Sequence, residues 1–68
     1  MSLHFSSPHC RDVIEIRTAK GTPAVGCIRI VRGQCRLFEV KGDKLELVGL
    51  FGAVGEAKTW AERVWKSR

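Results

Sequence analysis

A chain of 68 residues with a formal net charge of +5, from 12 Lys+Arg against 7 Asp+Glu, has room for one small domain with a thin core. Its 44% hydrophobic and 28% charged content fits a folded domain and excludes a disordered tail, and no uncharged stretch approaches the ~20 apolar residues of a membrane span. So few residues remain to line a buried cleft that composition argues against a self-contained enzyme.

Residues 1–10, MSLHFSSPHC, follow neither a strand nor a helix period and contain Ser6, Ser7 and Pro8. They also lack the basic start and continuous apolar run of a secretory leader, so a flexible N-terminal arm is expected, with no leader. From Arg11 the character changes. In DVIEIRT, Ile14 and Ile16 share one face, and Val13, Glu15 and Arg17 the other, as in a half-buried strand. The segment AKGTP interrupts it with Gly21 and Pro23. AVGCIRIV, rich in β-branched residues, is a second predicted strand, followed by a turn at Gly33. CRLFEVK is a third. Gly42-Asp43 is a hairpin signal between two alternating runs, and KLELVGLF is a fourth, with Leu45, Leu47 and Phe51 on one face.

The turn near Gly33 decides which side chains share a face. A three-residue turn, Arg32-Gly33-Gln34, aligns Ile28 and Ile30 with Phe38, Val40, Leu45 and Leu47 in one apolar face. A two-residue Arg32-Gly33 turn flips the second strand relative to the third. The first register segregates apolar from polar more cleanly and is the one expected. It turns Arg36 toward the helix side and leaves Val31, Leu37 and Val48, with Glu15, Glu39 and Glu46, on the opposite face.

In the tail, Ala57, Trp60, Ala61, Val64 and Trp65 recur at i, i+3, i+4, i+7 and i+8, the stripe of an amphipathic helix. No Ser, Thr, Asp or Asn precedes it, so Gly52 or Gly55 is the expected cap. The fold class that follows is α+β: residues 11–68 form a single β-β-β-β-α domain, a four-stranded antiparallel meander with one C-terminal amphipathic helix packed on one face. The two tryptophans are expected to supply much of its core.

Chemistry-bearing residues are sparse. Cys10, Cys27 and Cys35 are an odd number with no C-x-x-C pair, which points to free thiols in a reducing, cytoplasmic setting and not to a disulfide or zinc framework. His4 and His9 lie in the predicted arm, so no Cys–His dyad, metal site or catalytic set is expected, nor any cofactor or small-molecule substrate. Gly49, Gly52 and Gly55 precede the helix, but their plainer reading is a strand end and a bend.

The basic residues are clustered. No acid lies between Glu15 and Glu39, an interval holding Arg17, Lys20, Arg29, Arg32 and Arg36. A sheet ribbon with exposed arginines suits phosphate or base contacts in a DNA groove, and these five residues are the candidate nucleic-acid contacts. The alternative is a protein partner or a homodimer, as in small inhibitor domains of phage or mobile-element type, with Val31, Leu37 and Val48 as the apolar centre of the contact.

The junction Gly49-x-Phe51-x-x-x-x-Glu56-Ala57-x-x-Trp60-Ala61 resembles the signature that closes the arm-type DNA-binding domain of phage tyrosine recombinases. It is also similar to the plant ethylene-response DNA-binding domain. The resemblance spans residues 24–68 and implies a three-stranded sheet followed by a helix, with the sheet entering the major groove and Arg29 and Arg36 placed to contact DNA. This chain departs from the family at Ala53, where a Thr or Ser helix cap is usual. It also departs in the extra predicted strand at 12–18, and no catalytic domain is expected to accompany the unit.

Overall fold

The structure, a computed structural model, describes residues 3–19 and 21–65. Five strands form one antiparallel sheet in sequence order: β1 (His4–Ser6), β2 (Val13–Arg17), β3 (Gly26–Val31), β4 (Gln34–Lys41) and β5 (Lys44–Phe51). One helix among the described residues, α1 (Val54–Trp65), lies on one face. The α+β meander with a C-terminal helix is therefore present, with five strands where the sequence predicts four. The additional strand is β1, within the predicted arm. Phe5 pairs with Ile16 across β2, and Leu3 is buried in the core beside it. Three residues are too few to display an alternating period, so this strand is made by tertiary pairing.

The core lies between sheet and helix. Ile16, Ile28, Leu37, Ala57 and Ala61 are fully buried, with Cys35 and Trp65 nearly so. The two alanines let the helix approach the strands closely, while Trp65 reaches across to β3 at Gly26. A Cβ at residue 26 would sit 2.5 Å from Trp65 Cη2 and 2.6 Å from the Phe38 carbonyl oxygen, so only glycine fits under the indole. The indole Nε1 donates to Glu39 Oε2 at 3.2 Å, which satisfies its one donor. Trp60 packs edge-on against Trp65 with ring centroids 5.9 Å apart, and Phe51 lies 6.3 Å from Trp60.

Two turns and one bulge determine the faces. Val31 pairs with Gln34, so the β3–β4 turn has two residues, Arg32 and Gly33, with φ of +52° and +78°. Positive φ at both central positions is the type I′ geometry whose twist matches a tight hairpin. This overturns the expected three-residue turn. Arginine seldom adopts a left-handed conformation, so Arg32-Gly33 carries no strong hairpin signal of the Asn-Gly kind. Ile28 and Ile30 accordingly face the helix with Leu37 and Cys35, and Phe38 and Val40 face away.

The Gly42-Asp43 turn is a two-residue hairpin turn as expected, with Lys41 paired to Lys44. Further along, Leu37 pairs with Gly49 but Phe38 with Leu47, so Val48 is an extra residue in β5. The bulge reverses the alternation. Leu45 and Leu47 point away from the helix, whereas Phe51 points toward it and reaches Trp60. The predicted grouping of Leu45, Leu47 and Phe51 on one face fails for this reason.

The helix begins without a side-chain cap. Ala53 contributes the first helical acceptor, to the Ala57 N–H at 3.3 Å, so the cap position belongs to Ala53 and neither Gly52 nor Gly55. Glu56 in the first turn and Arg63 in the last complement the helix dipole.

Candidate functional site

The sheet face opposite α1 carries no covering element among the described residues. Its side chains form a grid. One row across the strands is Glu15, Cys27, Phe38 and Leu47; the next is Val13, Arg29, Arg36 and Leu50. Val40 and Leu45 lie beyond the first row, and Val31 and Gln34 beyond the second. Leu45, Leu47 and Leu50 are 48%, 50% and 54% exposed, and Val31 41%. Phe38, Val40 and Val13 are half-buried. Large apolar side chains standing together in solvent on one face mark an interaction surface far more than scattered single ones do.

Within this apolar field sit two arginines. Arg29 and Arg36 are cross-strand partners, both exposed. Side chains directly opposite in an antiparallel pair have Cβ atoms ~4.5–5.5 Å apart, so the two form a concentrated dication. The Arg29 guanidinium stands 6.0 Å from the Phe38 ring centroid, a cation–π contact. Neither arginine has a hydrogen-bond or ion-pair partner among the described residues. Like charges directly opposite destabilise a sheet, and among the described residues no carboxylate pairs with either arginine.

Arg17 differs. Its Nε donates to the Thr22 carbonyl at 2.9 Å, one guanidinium nitrogen pairs with Glu15, and another reaches the Ser6 hydroxyl at 3.4 Å. The side chain staples the 18–25 connection to β1 and β2. Glu15, the one carboxylate in the grid, is therefore already engaged, and His9 also approaches it at 3.9 Å. Cys27 lies between these charges. Burial pushes its thiol pKa up, the Arg29 cation pulls it partly back, and the Glu15 carboxylate adds to the rise.

The candidate contacts thus separate. Arg29 is on the open face as expected, with Arg32 at the hairpin tip. Arg36 is on the open face too, not the helix side, because the two-residue turn reverses the relation of β3 to β4. Arg17 shares that face but is held within the fold, and Lys20 lies outside the described residues. Of the apolar alternative, Val31 is exposed as expected. Leu37 is wholly buried under the helix, and Val48, at the bulge, packs on the core. Glu39 and Glu46 also change sides: Glu39 meets Trp65, and Glu46 pairs with Lys41 at 3.3 Å.

Sequence reasoning missed Phe38, Leu45, Leu47 and Leu50. Reading Arg32-Gly33 as a two-residue turn would have found the first three, whereas Leu50 depends on the bulge.

Elsewhere the described surface includes shallow grooves. One beside the helix is lined by Phe51, Gly55, Glu56, Thr59, Trp60 and Arg63; another, at the β1 edge, by His4, Phe5, Ser6, Pro8, Arg17 and Gly21. Among the described residues, no group of three or more His, Cys, Asp or Glu gathers to hold a metal ion, and no helix is long and apolar enough to cross a membrane. Comparison with protein-family models, with curated proteins and with solved structures finds no match to this chain. Phe51, Ala57, Trp60 and Ala61 all pack in or against the core.

Proposed function

We propose that this chain is a small, non-catalytic docking module of the cytoplasm, which binds a protein partner through the sheet face opposite its helix. The observation that carries this reading is the exposure of Val31, Leu45, Leu47 and Leu50 on one uncovered face, adjoining Phe38 and Val40. Burying such side chains in a contact removes apolar surface from water at about 25 cal/mol per Å² before the costs of association. Three unpaired thiols suit a reducing compartment.

A second reading, nucleic-acid binding, draws on the Arg29–Arg36 pair and the Arg32 tip, and on the resemblance of residues 24–68 to sheet-reading DNA-binding domains. Phosphates would satisfy the arginines. A polar groove or phosphate backbone would give the leucines of β5 nothing to pack against, which is why the protein reading ranks first.

Titration with a mixed-sequence DNA duplex and a single strand, at low and at physiological salt, separates the two. The docking reading predicts weak binding at low salt that is gone by ~150 mM. Binding that survives physiological salt, and that Arg29→Gln/Arg36→Gln removes, would replace it with the nucleic-acid reading.

A further inference from the structure

The chemistry of the partner follows from which charges the open face lacks. Resting on the docking reading above, we infer that the face accepts an amphipathic helix that brings acidic side chains to Arg29 and Arg36 within an apolar contact. The two guanidinium groups are cross-strand neighbours without a counter-ion, and Phe38, Leu47, Leu50, Val31 and Val13 surround them. Any occupant that covers those apolar residues also takes the arginines out of water. Burying a charge without a partner is costly, so the occupant must supply carboxylates at that point.

This requirement argues against a second copy of the chain. The only carboxylate in the grid is Glu15, and Arg17 already holds it. Two open faces placed together would bury four arginines (two from each copy) with no free acid within either grid to meet them. Glu39 and Glu46, which would have neutralised the face, are on the helix side.

The geometry also favours a helix over an extended segment. A sheet face presents side chains and no unpaired backbone groups, and a helix ~10 Å across spans two strand spacings of ~4.8 Å. Carboxylates at i and i+4 on such a helix have Cβ atoms ~5–6 Å apart, which matches the separation of the arginine pair. The sheet already carries one helix in this manner on its other side, where α1 covers Ile16, Ile28 and Leu37.

Selection of helix-biased 18-residue peptides from a displayed library against the intact protein tests this directly. The expected winners combine Leu, Ile or Phe with Asp or Glu at i,i+4. They bind Arg29→Gln/Arg36→Gln at least tenfold more weakly, and Leu45→Ser/Leu47→Ser weakens them to a similar degree or more. All four positions are exposed, so these variants retain the fold. Winners without acidic residues that ignore the arginine variant but are lost on the leucine variant overturn the acidic-helix inference and leave the docking reading standing. Failure to select any peptide that responds to either variant overturns both. A concentration-dependent dimer in sedimentation, dissociated by the leucine variant, overturns the inference by making a second copy the occupant. Displacement of selected peptides by the single-stranded or duplex DNA probe at physiological salt would do so in favour of nucleic acid.

Discussion

Gly26 is the most tightly enclosed glycine in the fold. Its missing side chain leaves the space into which Trp65 lays its ring, and the Phe38 carbonyl closes the other side. A carbonyl oxygen in β4 cannot turn aside as a side chain might. Gly26→Ala is therefore expected to destabilise the protein by about 1–3 kcal/mol, the usual cost of overpacking. A lower urea midpoint at unchanged slope would show it; an unchanged midpoint would mean that Trp65 does not occupy this site.

Cys27 gives a second residue-scale expectation. Burial, the largest effect, raises its thiol pKa above the ordinary 9.0, so the folded chain holds that proton more tightly than the unfolded chain. The stability this confers is complete below pH 9.0 and is lost as pH rises through the higher folded value. Arg29 opposes the rise. In a Cys10→Ser background, alkylation of Cys27 should have its midpoint above pH 9.0, and Arg29→Gln should move that midpoint further up. An unmoved midpoint would separate Arg29 from the thiol.

At the scale of elements, the helix start is the clearest weakness. Ala53 occupies the cap position and offers no oxygen to the unpaired N–H groups of the first turn. Ala53→Ser is expected to stabilise the fold by about 0.5–1.5 kcal/mol, read as a rise in thermal midpoint. Loss of stability would place the cap elsewhere.

The elements also explain what could be read in advance. The stripe Ala57, Trp60, Ala61, Val64, Trp65 is long enough for its period to identify the helix, and the last four strands alternate visibly. Faces were harder. Two local events decide them: a left-handed Arg32, which local propensity disfavours, and the extra residue Val48, which breaks no pattern because KLELVGLF is apolar on both sides of it. A strand's period of two makes each such event reverse every side chain beyond it. Arg29, Arg32 and Val31 were placed correctly because they depend on neither error, whereas Arg36, Leu37 and Val48 were not. His4–Ser6 escaped because a strand of three residues has no period to read, and its pairing with β2, Phe5 opposite Ile16 at its centre, defines it.

The whole molecule is a two-layer fold with one layer's outer surface left open. Its helix face is fully occupied by Ile16, Ile28, Leu37 and the aromatic cluster, while its other face leaves three leucines, a valine and an unneutralised arginine pair in water. A 68-residue domain has little apolar content to spare, yet Leu45, Leu47 and Leu50 leave about half of their surface in water in the isolated fold. The proposed docking role accounts for their place on the sheet. The net charge of +5 accords with the proposed acidic partner, which it would draw toward the face before contact.

The most direct measurement is photocrosslinking from the open face in the native cell. A benzoylphenylalanine replaces Leu47, and in a control it replaces Thr59, which is exposed on the helix's outer side. A discrete protein adduct at Leu47, resistant to nuclease and absent at Thr59, is the predicted result. Equal adducts at both positions, none at either, or one that nuclease removes would contradict the assignment of this face to a protein partner.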